Sequence, residues 1–419
     1  MKYNSLRGMQ DIIEQVQLWQ YIEKIVREIF EVFNFREIRT PILENAEVFL
    51  RSIGEDTDIV EKEMYIFKDK KGRTVALRPE GTASVVRAYI QHNLFNKPVP
   101  QKFYYIGPMF RYERPQKGRF RQFHQIGAEC FGISSPWVDA ELIYMIKNFF
   151  ERLKIRDLNY EINSLGCKNC RPEYRKELFN FLSNKVPHLC NDCQRRFERN
   201  PLRVLDCKVE SCKEVLKETP LILNFLCDDC KQHFFQLQRE LEDFNITYTV
   251  NPKIVRGLDY YTRTVFEVTT NALGAQNAIA AGGRYDDLVE FFGGPPTPAA
   301  GFAIGIERLI ELCSTALSIP PNTAFVYVAY IGSESKKEAK RIINFLRENG
   351  ITTETAYEEV SLKSQMRRAD RLGVNIVIII GEDEIKKSIY RWKNMKTGVE
   401  GECSFNELIE LVRRVNDQK

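Results

Sequence analysis

The sequence predicts two domains of different class: an α+β domain over residues 1–320, carrying a helical Cys-rich insertion at 166–243, and a smaller α/β domain over 321–419. Three observations predict this. Two long strand patterns flank a charged, Gly-containing loop around residues 111–121. From about Gly166 to Asp243 the texture turns helical and is punctuated by cysteines. Beyond the Pro-Pro stretch "SIPPNTA", strand and helix alternate around the all-apolar run "VNIVIIIG", the pattern of a mostly parallel sheet. A chain of 419 residues is in any case too long for one simple core.

The elements follow in order. Leu18, Ile22, Ile25, Val26, Ile29, Phe30 and Phe33 recur at helical spacing and predict an amphipathic helix. "FREIRTP" is expected to be a strand ended by Pro41, because proline cannot donate to a ladder. "EMYIFKDKKGRTVALRPEG" predicts a hairpin turning at Lys71-Gly72, then a helix from about Thr82 to Ile90. "KFYYIGPMFRYE" and "RQFHQIGAECFGI" are the strands around the charged loop, and "DAELIYMIKNFFERL" is a helix. After the insertion, "YYTRTVFEVTT" and "GGRYDDLV" return to strand patterns, and "GFAIGIERLIELC" runs from strand into helix. In the last domain the strands "AFVYVAYIG", "ITTETAY" and "VNIVIIIG" alternate with the helices "KKEAKRIINFLRENG", "SLKSQMRRADRLG" and "FNELIELVRRV".

Composition narrows the function classes. Net charge is +4 with acidic and basic residues interspersed, so any nucleic-acid contact must come from local patches. No hydrophobic run reaches spanning length and "MKYNSLRGMQDIIEQ" is polar from the start, which makes a cytoplasmic location without membrane contact the expectation. In a reducing compartment, eleven cysteines are free thiols or metal ligands before they are disulfides.

The segment "ERPQKGRFRQFHQIGAE" holds more cationic charge than a hairpin needs: Arg114, Lys117, Arg119 and Arg121. Strand alternation puts Arg121, Phe123, Gln125, Gly127 and Glu129 on one face, with Ile126, Ala128 and Cys130 on the other; Arg111 and Glu113 share a face of the first arm. Cross-strand ion pairs on a solvated face would account for the charges. They would not require Phe123 between Arg and Gln, whereas a site for a flat anionic ligand does: guanidinium pairs with phosphate, the ring stacks on a base, and carboxylates accept from N–H groups. "LRPEGT" adds Glu80 and Thr82 at a strand-to-helix turn, suited to an ammonium group. "RGLDYYTRTVFEV" adds Arg256, Tyr260 and Tyr261, and "AGGRYD" and "GFAIGIERL" add glycines for close approach and Arg308 in a first helical turn. Each alone has a plain reading: Tyr261 as core, Arg308 as a surface ion pair, the Gly pairs as turns.

Together these strings closely resemble the histidyl-tRNA synthetases, a family of class II aminoacyl-tRNA synthetases, over nearly the whole chain. "FRYERPQKGRFRQFHQIGAE" is similar to the class II second motif, "GFAIGIERL" to the third, and Pro41 after its strand to the first; "RGLDYY" and "AGGRYD" are particular to the histidine enzyme. The resemblance implies a catalytic antiparallel sheet flanked by helices, a C-terminal anticodon-binding domain and a homodimer. It implies formation of histidyl-adenylate from L-histidine and ATP with Mg²⁺, then transfer of the histidyl group to the terminal adenosine of the histidine tRNA. By matching positions, Arg256 is the catalytic arginine and Arg111 grips the α-phosphate. Phe123 and Arg308 sandwich the adenine, Glu113 contacts its amino group and Arg119 reaches the terminal phosphates. Glu80, Thr82 and Gln125 match residues that hold the ammonium group, Glu129 and Tyr261 those that hold the imidazole. Arg111, Arg256, Tyr260 and Tyr285 complete the implied histidine site. Arg114 and Gln116 match positions that read the tRNA acceptor end. Arg367, Arg368 and Arg371 meet anticodon-stem phosphates or form a solvated helix face.

The insertion carries Cys167, Cys170, Cys190, Cys193, Cys207, Cys212, Cys227 and Cys230. Repeated Cys-x-x-Cys is metal-ligand spacing, so two four-Cys structural zinc sites, or one with spares, are expected; small buried thiols, or disulfides in a hyperthermophile, are the alternatives. The family does not supply this expectation. Two other functions compete: a catalytically silent paralogue serving as regulatory subunit of ATP phosphoribosyltransferase, and a generic RNA-binding module. The first typically lacks the C-terminal domain and parts of the motifs, which are present in this sequence, and the second leaves the amino-acid residues without a role.

Overall fold

The computed structural model describes residues 3–54, 57–116, 118–207, 209–273, 277–316 and 325–417. The chain divides into two compact units, Met1–Ser318 and Ile319–Lys419. "SIPPNTA", where the sequence puts the boundary, lies outside the described residues.

The first unit opens with α1 (Val16–Val32), whose buried Leu18, Trp19, Ile22, Ile25, Val26, Ile29 and Phe30 form the stripe read from the spacing. β1 (Arg36–Glu37), β2 (Leu43–Asn45), α2 (Glu47–Ile53), β3 (Ile66–Lys68), β4 (Thr74–Leu77) and α3 (Thr82–Gln91) follow. β1 stops well before Pro41, shorter than "FREIRTP" predicts. Arg78 explains this: its Nη1 takes the Thr40 carbonyl at 2.9 Å, drawing that backbone away from the ladder. β3 and β4 form the expected hairpin, with Gly72 at φ 80° and Asp69 accepting from the N–H groups of Lys71 and Arg73.

β5 (Gln101–Phe110), β6 (Gln122–Phe131), α4 (Pro136–Arg152) and β7 (Leu158–Ser164) lead into the insertion. This holds α5 (Arg171–Ser183), α6 (Asn191–Arg199), α7 (Glu210–Leu216) and α8 (Asp228–Asp243) around its own apolar core, including Leu178, Leu182, Val204 and Leu226. β8 (Tyr248–Val250), β9 (Thr262–Thr270), β10 (Ala278–Arg284), α9 (Leu288–Phe291), β11 (Ala299–Gly305) and α10 (Ile306–Ala316) complete the unit. Eight strands form one sheet in the order β1-β5-β6-β11-β10-β9-β7-β8, antiparallel except at its two outer pairs. Only the first half of "GGRYDDLV" is strand. β10 ends at Arg284, and Asp286, bound to Arg284 Nη1 at 3.1 Å and to Thr262 Oγ1 through its own N–H, turns the chain into α9.

The second unit holds β12 (Phe325–Tyr330), α11 (Ser333–Glu348), β13 (Thr352–Thr355), α12 (Leu362–Arg371), β14 (Ile376–Ile380), α13 (Glu382–Lys387), β15 (Ile389–Asn394), β16 (Glu400–Ser404) and α14 (Leu408–Asp417). β13, β12 and β14 are parallel, as the alternation predicts. The sheet then continues through an antiparallel hairpin, β15–β16, that the sequence did not reveal. Its strands mix charge with apolar residues and lack a continuous run. Arg367, Arg368 and Arg371 are exposed on α12, while Gln365 and Ala369 of the same helix are buried. Among the described residues, no helix is long and apolar enough to cross a membrane.

Candidate active site

Beside the middle of the large sheet is a cleft of ≈ 330 Å³. One end is built on the start of α3. Glu80 lies just before the helix and accepts from the N–H groups of Thr82 at 2.6 Å and Ala83 at 2.8 Å, donors that have no partner within the helix. Burial raises the Glu80 pKa, and these two N–H groups oppose the rise. Thr82, Gln125, Tyr260 and Tyr261 line the cleft, and the buried Gln125 Oε1 has no hydrogen-bond partner among the described residues.

Glu129 and Tyr285 lie beneath this floor rather than on it. Glu129 is fully buried and accepts from Thr82 Oγ1 at 2.7 Å, Tyr105 OH at 3.4 Å and Tyr285 OH. Tyr105, which sequence reasoning missed, is a cleft-lining residue wedged between two backbones. A Cβ at Gly81 or Gly127 would fall 2.2 or 2.1 Å from its ring, so both positions exclude any side chain. The available signal was register: Tyr105 stands opposite Gly127.

Burial pushes the Glu129 carboxyl up to about 8, against the pull of its hydroxyl donors. The folded chain therefore holds this proton more tightly than the unfolded chain, whose value is 4.5. The resulting stabilisation is complete below pH 4.5 and is lost as pH rises through about 8. Glu129→Gln removes the titration, so the stability of the unaltered protein relative to the variant should fall between pH 5 and 8, by up to about 1.4 kcal/mol per unit. Urea midpoints at pH 5, 6.5 and 8 measure it; a difference that stays constant with pH would mean the group is ionised throughout.

The cleft lining is also cationic and aromatic. Arg111, just past β5, donates from Nε to the Pro79 carbonyl at 2.9 Å, and its guanidinium lies 5.3 Å from the Phe123 ring centroid. Glu113 is buried and ion-paired with Arg119. Arg308, in the first turn of α10, reaches the Ala278 carbonyl. Arg256 lines the same cleft, ion-paired with Glu267 of β9 and 5.7 Å from the Tyr261 ring centroid.

Eleven residues singled out in the sequence thus line one cavity: Glu80, Thr82, Arg111, Glu113, Arg119, Phe123, Gln125, Arg256, Tyr260, Tyr261 and Arg308. Arg114 and Gln116 are exposed on the loop outside it, and Lys117 lies outside the described residues. Arg121 departs from its expected face. It precedes β6, donates its N–H to Gly8 O, and lays its guanidinium 3.6 Å from the Tyr112 ring centroid.

The eight cysteines of the insertion gather as two sets of four, Cys167, Cys170, Cys227 and Cys230, and Cys190, Cys193, Cys207 and Cys212. Within each set the sulfurs lie within 4.8 Å of one another, and none is in a disulfide. Closest approaches are 3.7 Å for Cys167–Cys170 and 3.8 Å for Cys167–Cys227 and Cys190–Cys207. Backbone N–H groups of Asn169, Cys227 and Cys190 point at sulfurs of Cys167, Cys170 and Cys212.

Comparison with known proteins identifies the family. The family model for histidyl-tRNA synthetase matches residues 8–309, and that for an anticodon binding domain matches residues 325–415. A histidine–tRNA ligase of Thermodesulfovibrio yellowstonii is 76% identical over 418 residues, covering 100% of both chains. One of Desulfatibacillum aliphaticivorans is 49% identical over 417 residues, 99% of each. Among solved structures, apo histidyl-tRNA synthetase of S. aureus superposes with a TM-score of 0.83 at 35% identity, covering 98% of this chain and 100% of that one. By family model, by full-length identity and by fold, this chain belongs to the histidyl-tRNA synthetases.

Proposed function

We propose that the cleft joins L-histidine to ATP and that the chain then passes the histidyl group to the 3′ end of the histidine tRNA. The observation that carries this reading is that one cavity is lined both by carboxylate and amide acceptors suited to a cationic amino acid and by guanidinium groups suited to a polyphosphate.

Glu80 and the partnerless Gln125 oxygen hold the ammonium group, with Thr82 beside them. Tyr261 and Tyr260 line the imidazole end, with Tyr105 and Thr82 presenting hydroxyls anchored on Glu129, which Tyr285 also anchors. A side chain unable to hydrogen-bond there leaves buried polar groups unpaired, which discriminates strongly against it. Phe123 and Arg308 take the adenine faces, Glu113 its amino group, and Arg119 the terminal phosphates. A histidine carboxylate oxygen attacks the α-phosphorus, a new C–O–P linkage forms, the α–β bridge breaks and pyrophosphate leaves. Arg111 and Arg256 stabilise charge growing on the equatorial oxygens. The carboxylate is already ionised, so no base is needed. Mg²⁺ bound with ATP would supply neutralisation of polyphosphate charge beside Arg119 and Arg111. In the second step the terminal adenosine hydroxyl attacks the acyl carbon and AMP departs.

Exchange of labelled pyrophosphate into ATP, assayed with each of the twenty amino acids, tests the reading. Histidine alone should support it; no exchange with any amino acid would favour the regulatory-subunit alternative. That alternative is not favoured by the full-length identity to histidine–tRNA ligases. Arg114 and Gln116, exposed at the cleft rim, are assigned to the acceptor end, and residues 325–415 to the anticodon. A homodimer fits the exposed apolar side chains Ile42, Leu43, Ile66 and Phe67 at the small sheet. A cytoplasmic setting, which keeps thiols reduced, fits the free cysteines.

The same reading assigns one structural Zn²⁺ to each cysteine set. With Zn–S near 2.3 Å, the edge of a tetrahedron of sulfurs is about 3.8 Å, which matches the observed spacings of 3.7 and 3.8 Å. N–H donors on the sulfurs suit thiolates. The metal would staple a module with a small core, away from the chemistry. Protein purified without chelator should contain two zinc per chain, and Cys167→Ser and Cys190→Ser should each lose one; fewer than one zinc in the unaltered protein would refute the assignment.

A further inference from the structure

The insertion does not merely sit beside the catalytic sheet. Two of its arginines hold the backbone of "RGLDYY". Arg203, in the turn after α6 and only 6% exposed, donates from Nη1 to the Arg256 carbonyl at 2.8 Å and pairs with Asp259. Arg171, at the start of α5, donates from Nε to Leu165 O at 3.3 Å and from Nη2 to the Tyr261 carbonyl. The segment between them is fixed on its other side too: Asp259 N–H bonds Ile53 O at 3.0 Å, and a Cβ at Gly54 would meet the Asp259 carboxylate at 2.2 Å.

Both arginines are tied to the cysteine sets. Arg171 follows Cys170 directly, and Arg203 lies between Cys193 and Cys207. A narrow cavity of ≈ 60 Å³ between insertion and loop is lined by Arg171, Arg203, Arg256, Asp259 and Tyr261. Ordinary domain docking places side chains against side chains. Here guanidinium groups bind main-chain carbonyls of the two residues, Arg256 and Tyr261, whose side chains enter the active cleft.

We infer that Arg171 and Arg203 are positioning residues for histidine activation: from the insertion, they clamp the 256–261 backbone and thereby aim the Arg256 side chain into the cleft. This rests on the role proposed for Arg256. Arg203 holds the Arg256 end of the segment, so its loss acts on kcat, whereas Arg171 holds the Tyr261 end, where the histidine ring is proposed to lie, and its loss also raises the KM for histidine. Loss of Arg203 is also silent once Arg256 is gone.

The test is a cycle of Arg203→Ala, Arg256→Ala and the double variant, read by histidine-dependent ATP–pyrophosphate exchange together with zinc content and thermal midpoint. Arg203→Ala should lower kcat at least tenfold with KM for ATP and histidine within threefold. Added to Arg256→Ala, it should lower kcat by less than twofold. Arg203→Lys, which keeps charge but not the fork, should recover part of the loss. If Arg203→Ala does not fold, Asp259→Asn leaves Arg203 in place, removes the ion pair, and should show the same split between kcat and KM and the same silence without Arg256. Full activity of Arg203→Ala, or an equal fall in both backgrounds, overturns the inference while leaving the proposed reaction standing. Absence of exchange in the unaltered protein overturns the reaction, and the inference with it.

Discussion

Arg256→Ala should slow histidine-dependent ATP–pyrophosphate exchange by about 10²–10³-fold, the effect of removing one preorganised donor from developing transition-state charge. Histidine binding without ATP should change far less, because Glu80, Thr82 and Gln125 stay in place at the ammonium end. Fold stability should change little: Glu267, left without its Arg256 partner, is partly solvated rather than sealed. Single-turnover adenylate formation and calorimetric titration of histidine measure the two quantities. Equal losses in both would place Arg256 in amino-acid binding and leave Arg111 as the charge-stabilising group.

The second large effect is on stability. Arg284 is fully buried and donates through Nε and Nη2 to Asp139 at 2.7–3.2 Å. It also donates to Ile133 O at 2.9 Å and Ser135 O at 3.1 Å, while Thr264 Oγ1 donates to Asp139 at 2.7 Å. Arg284→Ala leaves the Asp139 carboxylate buried without its cation, and should cost about 3–5 kcal/mol. Replacing Asp139 as well, Arg284→Met with Asp139→Leu, should recover part of that, because the fully buried Asp139 charge is then gone while the partly exposed Asp286 still lacks its partner. Denaturant midpoints measure both. A loss under about 1 kcal/mol for the single variant would mean that water reaches the site. Tyr285 follows directly in sequence and anchors Glu129, so the single variant should also weaken histidine binding.

The sequence was most legible where a residue's role depends on its own strand or helix. The alternation along β6 placed Phe123, Gln125 and Glu129 on one face, and the strand-to-helix turn in "LRPEGT" placed Glu80 where helix N–H groups are free. Features created by register or by distant segments were not legible. Tyr105 became part of the floor only because Gly127 stands opposite it and Gly81 approaches from α3. Arg121 left its predicted face because the N-terminal segment at Gly8 captures its N–H. The cysteine spacings announced metal ligands, yet the pairing of Cys167 and Cys170 with Cys227 and Cys230 joins segments sixty residues apart, which spacing cannot specify. The β15–β16 hairpin was hidden by its polar, solvent-facing residues.

Glu113 and Arg119 are ion-paired with each other, so in the roles proposed for them nucleotide capture is an exchange of partners. In the free protein each neutralises the other. A ligand that offers only phosphates recruits the guanidinium and strands a carboxylate, and one that offers only a base does the reverse. With the roles proposed for these two residues, adenine joined to a triphosphate satisfies both at once, and the expected result is selectivity for the whole nucleotide over its fragments.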